Sequence, residues 1–175
     1  PNGKFESLDS DDLGVDTFTY TITDGEGGTD LATVTIVFPG VNDAPDAEDD
    51  SKTTTPNDPV SDNVIEPNDS DPDNDDLTVS KVNGEPIDSD GLSTITLPSG
   101  AVVTINTDGD YTYDPNGKFE SLDSGDEGVD TFTYTITDGR GGTDLATVTI
   151  VMPGVNDAPD AEDDSTTASP NDPVS

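Results

Sequence analysis

Cysteine, histidine and tryptophan are absent from the 175 residues, and basic side chains are scarce: five Lys plus Arg stand against 40 Asp plus Glu, for a formal net charge of −35. Without cysteine there is no disulfide framework, zinc-thiolate site or thiol nucleophile. Without histidine there is no imidazole base, which removes the serine triads that depend on one. So negative a chain repels nucleic acid and anionic lipid, and neither is an expected partner. Small multivalent cations are. No apolar run approaches the ~20 residues of a membrane span, so membrane insertion is not expected. The chain reads as a piece of something larger.

Only 28% of the residues are hydrophobic, and low hydrophobicity with high net charge is a signature of disorder. A repeat argues against it. Residues 1–61 recur as residues 115–175, an offset of 114, with seven differences: Asp11/Gly125, Leu13/Glu127, Glu26/Arg140, Phe38/Met152, Lys52/Thr166, Thr54/Ala168 and Thr55/Ser169. A period that long is a whole domain rather than a solenoid turn. A tandem array of near-identical domains is the expected parent.

The repeated part alternates with period two. Phe18, Tyr20 and Ile22 face one way from Thr17–Thr23, with threonines opposite. After the turn DGEGGTD, Ala32, Val34, Ile36 and Phe38 alternate with Thr33, Thr35 and Val37. β-Branched residues dominate both segments, which predicts a hairpin with one buried face. It recurs at Phe132, Tyr134 and Ile136 and at Ala146, Val148, Ile150 and Met152. Weaker strands are predicted at Leu77–Val82, Ser93–Leu97, Ala101–Asn106 and Tyr111–Tyr113, with short ones within Ala47–Thr55 and near Val64. About seven strands in roughly 110 residues predict an all-β, immunoglobulin-like sandwich.

VNDAPDAEDD follows the last strong strand in both copies and is the expected linker. On that cut, 44–157 is one complete repeat, 1–43 the closing hairpin of a preceding one, and 158–175 the first strand of the next. A hairpin alone is marginal in water. Two hairpins with one set of middle strands therefore leave open strand exchange between copies.

The acidic residues gather in loops and at the linker, whereas a salt-adapted surface would carry them on the outward strand positions, which are Thr. The densest group is NDSDPDNDDL, with Asp69, Asp71, Asp73 and Asp75 at alternate positions. Unpaired, such carboxylates repel one another. A Ca²⁺ ion, which takes ~6–8 oxygen ligands at ~2.3–2.6 Å, reverses that sign. This is no EF-hand, since the sixth position from Asp69 is Asn74 and the twelfth Ser80. With no thiolate or imidazole, an oxygen-only site favours Ca²⁺ over zinc or copper. A second group is the linker, with Asn42, Asp43, Asp46, Glu48, Asp49 and Asp50, repeated from Asn156 and Asp157 to Asp164. A third, Asp9, Asp11, Asp12 and Asp16, precedes the hairpin, with Asp123 and Asp126 in the second copy.

The string YTYDPNGKFESLDSGDEGVDTFTYTITDGRGGTDLATVTIVMPGVNDAP (111–159) resembles the VCBS repeat of giant bacterial surface adhesins, and NDSDPDNDDLTV with the linker resembles cadherin-like repeats. The resemblance covers essentially the 114-residue period. It implies a cadherin-like, Ig-like sandwich in tandem array, type I secretion, and a place as a repeated extender in an RTX-type adhesin at the bacterial cell surface. It also implies Ca²⁺ at linkers, held by an Asp-x-Asp pair (Asp69, Asp71), a linker Asn-Asp-x-x-Pro (Asn42, Asp43, Pro45) and acidic residues ahead of the penultimate strand (Asp9, Asp11). Gly125 replaces Asp11 in the second copy, and the sequence stops before any partner for Asn156 and Asp157, so that site is expected to be incomplete.

Other patterns read as bland. GEGGTDL fits a hairpin turn better than a single glycine-rich calcium repeat. The sequon at Asn68 lies inside the proposed ion loop, no lysine is singled out for an isopeptide bond, and no cleft or aromatic platform accompanies the paired carboxylates. The reading is a non-enzymatic extender whose partners are the neighbouring repeats of its own chain. A carbohydrate-binding module, or homophilic Ca²⁺-dependent adhesion, are the alternatives.

Overall fold

The computed structural model describes residues 4–156, 158 and 161–165. Asp157 and residues 166–175 lie outside them, so the strand expected within 158–175 is not described. The architecture is all-β. A two-stranded sheet pairs β1 (Leu13–Thr23) with β2 (Thr29–Pro39). The remaining strands are β3 (Asp50–Thr53), β4 (Val60–Asn63), β5 (Thr78–Val82), β6 (Glu85–Pro86), β7 (Leu92–Thr96), β8 (Val102–Asn106), β9 (Asp110–Asp114), β10 (Glu127–Thr137) and β11 (Thr143–Pro153). They form a five-stranded sheet, β3-β11-β10-β5-β6, and a four-stranded sheet, β4-β9-β8-β7. These two sheets enclose the core, as expected of an Ig-like, cadherin-like sandwich. β3 runs parallel to β11, with Asp50 opposite Val148, and the other strand pairs are antiparallel.

Period two decides which residues make that core. Along β10, Phe132, Tyr134 and Ile136 are buried, and along β11 so are Ala146, Val148, Ile150 and Met152. Val64, Val79, Val82, Val103, Ile105 and Tyr113 meet them from the other strands. Two tyrosines bring a polar end inside and each finds a partner, as a buried phenol requires. Tyr113 Oη donates to Asp130 Oδ2 (3.0 Å). Tyr134 Oη lies 3.0 Å from the Val64 carbonyl and 3.1 Å from that of Glu48. Burial pushes both phenols well above their ordinary pKa.

β1 and β2 repeat β10 and β11 in sequence and in register: Phe18 faces Val34 as Phe132 faces Val148. Their surroundings differ. Phe18 is 53% exposed where Phe132 is 1%, and Tyr20 47% where Tyr134 is 0%. What protects the first hairpin is the segment that enters it. The Phe5 ring stacks on Phe38 at 4.7 Å, and Leu8 and Phe5 cover Gly14, where a Cβ would meet both side chains. Phe119 and Leu122 cover Gly128 in the same way.

One side chain in two environments gives a direct test of what holds the sandwich. Phe132→Ala is expected to cost about 3–5 kcal/mol of stability, as large-to-small changes in cores do. Phe18→Ala is expected to cost less than about 1 kcal/mol. Urea unfolding of the two variants measures the difference.

Candidate metal centre at the linker junction

The linker is stitched to both of its neighbours by backbone bonds. Gly40 N–H donates to the Asp12 carbonyl (3.0 Å) and Val41 N–H to the Leu8 carbonyl (2.9 Å), fixing loop 8–12 against the end of β2. Gly40 is required there, because a Cβ would collide with the carbonyl oxygens of Leu8 and Asp9. Further on, Asp46 and Ser70 exchange backbone bonds of 2.8 and 3.0 Å, tying the linker to the loop before β5. Asp9, the linker and the Asp-rich loop thus meet at one end of the sandwich.

The β10–β11 turn completes this junction. Asp138 is buried, and its carboxylate accepts from the backbone N–H groups of Arg140 (2.7 Å), Gly141 (3.0 Å) and Gly142 (3.0 Å). The Asn42 side-chain amide donates to its other oxygen at 2.9 Å. Burial opposes ionisation of Asp138, but these four donors outweigh it and hold the carboxyl below its ordinary pKa. Gly142 allows the close approach: a Cβ would meet the Asp138 carboxylate, Ala44 and Pro45.

Within this frame Asp9, Asp73 and Asp75 each offer a carboxylate oxygen, all within 4.8 Å of one another. Two oxygens on opposite sides of a Ca²⁺ ion, each at ~2.4 Å, stand about that far apart. Asp71 shapes the loop, accepting from the N–H groups of Asp73 (2.8 Å) and Asp75 (3.2 Å) through Oδ1. Asp43 N–H donates to Asp73 Oδ2 at 2.7 Å. Five buried oxygens here have no hydrogen-bond partner: Asp9 Oδ2, which only the Arg140 ion pair reaches, Asn42 Oδ1, Asp71 Oδ2, Asp73 Oδ1 and Asp75 Oδ2. Burying such acceptors unpaired costs about 1–3 kcal/mol each, more when charged. An oxygen-seeking cation offsets that cost, so the donor set fits Ca²⁺. The counter-charge the protein itself supplies is Arg140, whose Nε lies 2.9 Å from Asp75 Oδ1 and whose Nη1 lies 2.5 Å from Asp9 Oδ2.

The sequence candidates therefore divide. Asp9, Asp73 and Asp75 bring their carboxylates together, with Asp43 bonded to Asp73, Asp71 bracing the same loop and Asn42 bonded to Asp138. Asp11 reaches only the edge, with an exposed carboxylate 3.8 Å from Arg140. Asp12 takes part through its backbone, and exposed Asp16 accepts from the neighbouring Thr17 N–H (2.9 Å) within β1. Asp123 and Asp126 bond to one another, the Asp123 N–H donating to Asp126 Oδ2 at 3.3 Å. Asn156 is exposed in the segment after β11.

Asp69 parts from Asp71. It accepts from Glu48 N–H (2.9 Å), lies 3.1 Å from Tyr134 Oη, and joins a second acidic group with Asp50 and Asp144. Asp46 enters that side by its backbone alone. Asp50 Oδ2 and Asn68 Oδ1 are buried there without hydrogen-bond partners. Burial, with the nearby charges of Asp50 and Asp144, pushes Asp69 up to about 6. Asp138, Arg140 and Asp144 were not among the sequence candidates. Arg140 carried a usable signal, being one of five basic residues and one of seven positions at which the copies differ.

The raised Asp69 carboxyl sets a pH dependence. Its folded-state pKa exceeds the unfolded value, so the folded state holds the extra proton and stability falls as pH rises from about 4 to about 6. In EDTA, Asp69→Asn is expected to flatten that slope, read from urea midpoints across the interval.

A match to the bacterial cadherin-like domain family spans residues 42–154, and one to a bacterial Ig domain family spans residues 1–37. No curated protein matches the chain. Domains of these kinds are typically non-enzymatic structural modules of adhesion proteins, extracellular or surface-associated, and cadherin-like ones commonly bind Ca²⁺. No helix among the described residues is long and apolar enough to cross a membrane. The cadherin-like match starts at Asn42, within the linker, and runs to the residue after β11. With the greater part of its length so matched, the chain belongs to the bacterial cadherin-like domain family.

Proposed function

We propose that this chain is an extender segment of a secreted bacterial surface adhesin of the RTX type, in which Ca²⁺ stiffens the junctions between repeats. Residues 44–157 form the repeat unit, and residues 1–43 carry the closing hairpin and linker of the unit before it. The observation that carries the reading is the convergence of Asp9, from the segment ahead of β1, with Asp73 and Asp75, from the loop ahead of β5. A cation held by both sides fixes the angle between them, which a linker of modest contact area leaves free.

Asp9, Asp73 and Asp75 would hold the ion, with the free oxygens of Asn42 and Asp71 as further ligands. When bound, the ion supplies charge neutralisation and a fixed geometry, and no bond is made or broken. Around it the protein's own residues set the frame. Asp138 locks the β10–β11 turn and orients Asn42, while the Asp43 N–H holds the Asp73 carboxylate. Because the ion binds the folded junction alone, it adds stability by mass action. An array stiffened at each linker projects a distal binding domain away from the cell.

Small-angle scattering and thermal melting of the chain, in EDTA and then in millimolar CaCl₂, test this. Ca²⁺ is expected to raise the melting temperature and fix the hairpin relative to the sandwich, whereas equal MgCl₂, and NaCl of equal ionic strength, do much less. Asp73→Asn with Asp75→Asn is expected to abolish the Ca²⁺ increment. Shape and stability that ignore Ca²⁺ would sink the reading, and saturable glycan binding by the chain would point to a carbohydrate-binding module instead.

A further inference from the structure

Of the seven differences between the two copies, one reverses a charge: Glu26 in the first hairpin turn is Arg140 in the second. The two turns are otherwise built alike. Asp24 accepts from the N–H groups of Glu26 (2.8 Å) and Gly28 (2.9 Å), as Asp138 does from those of Arg140 and Gly142. The side chain at position 26 or 140 is therefore delivered from a fixed backbone, and its sign is the variable.

In this chain it is delivered into the carboxylate cluster. The guanidinium contacts Asp9 through Nη1 and Asp75 through Nε, with Asp11 Oδ2 3.8 Å away. Asp9 is nine-tenths buried and Asp75 nearly so, with side-chain exposures of 9% and 14%, while Arg140 itself is 41% exposed. One end of the bridge belongs to the segment ahead of β1 and the other to the loop ahead of β5. A Ca²⁺ ion held by Asp9, Asp73 and Asp75 would join the same two elements. The arginine can leave: its backbone is held by Asp138, but its side chain is partly exposed and its stem is flexible.

We propose that Arg140 is a built-in cationic latch: it closes the junction when no metal is present, and Ca²⁺ must displace it to reach Asp9 and Asp75. Resting on the calcium reading above, this assigns the junction its regulation. A junction with glutamate at this place, as at Glu26, has no latch and one more negative charge, so it is loose without metal and binds Ca²⁺ more tightly. An array mixing the two residues stiffens in steps as Ca²⁺ rises.

The test compares the full chain with Arg140→Gln, Arg140→Glu and Arg140→Lys, by calorimetric Ca²⁺ titration and by hydrogen exchange in EDTA. Arg140→Gln is expected to raise the Ca²⁺ affinity of the junction roughly tenfold, the scale of one unit charge a few ångströms away in a half-exposed site. Arg140→Glu should raise it further, and Arg140→Lys should stay near the parent. In EDTA, the amides of residues 40–43 and 71–75 are expected to exchange faster in the Gln and Glu variants, with Ca²⁺ restoring protection. Unchanged affinity together with unchanged exchange overturns the latch, and weaker Ca²⁺ binding in Arg140→Gln overturns the competition. Failure of the calcium reading looks different. No variant then binds Ca²⁺, which ends the competition, while faster exchange of Arg140→Gln in EDTA still supports the latch.

Discussion

Like charges brought together at one end of a sandwich need a counter-charge, and the structure of the junction follows from that need. Asp9, Asp71, Asp73 and Asp75 are all at least half-buried, in a chain with few basic residues to neutralise them. Repulsion between them would open the loop ahead of β5 and release loop 8–12 from the linker. Three devices answer it: backbone N–H groups aimed at Asp71, Asp73 and Asp138, the Arg140 guanidinium, and, on the reading proposed above, a cation held by the oxygens left unpaired. The first two are built into the fold. The third would make the junction's stiffness depend on what is dissolved around it.

The twin hairpins show how much of the stability lies in context. β1–β2 and β10–β11 share pattern and register, yet Ile22 is 59% exposed and Ile136 is buried. The backbone ladder and the threonine faces are the same in both. What differs is the opposing sheet, with Val103, Ile105 and Tyr113. Burial of about 20–33 cal/mol per Å² of apolar surface therefore accrues to the second hairpin and much less to the first.

The strands were legible because period two is a strong local signal wherever one face is buried. Phe132, Tyr134 and Ile136 fall where alternation puts them, and strands predicted over Ser93–Leu97 and Ala101–Asn106 differ from the observed ones by one residue, at both ends of the first and at the start of the second. The two-residue β6, which pairs with β5, left no pattern to read. The parallel pairing of β3 with β11 joins segments about a hundred residues apart and has no local signature. At the junction, alternate aspartates marked the loop but not its curl. The loop turns Asp73 and Asp75 toward Asp9, with Asp71 bracing their backbone, and leaves Asp69 with Glu48 and Tyr134, so an Asp-x-Asp pair splits between two acidic groups. Asp138 looked like an ordinary turn residue because its reach to Asn42 depends on where the linker lies.

The central claim is that a divalent cation sits among these carboxylates and joins the hairpin side to the sandwich. Amide chemical shifts in ¹⁵N-labelled protein, followed while Ca²⁺ is added to a metal-free sample, locate the ion residue by residue. The account predicts saturable shifts concentrated at Asp9, Asn42, Asp43, Asp71, Asp73, Asp75 and Arg140, with little change at Asp16 or across β7–β9. Small shifts spread over the acidic surface, without saturation, would contradict it.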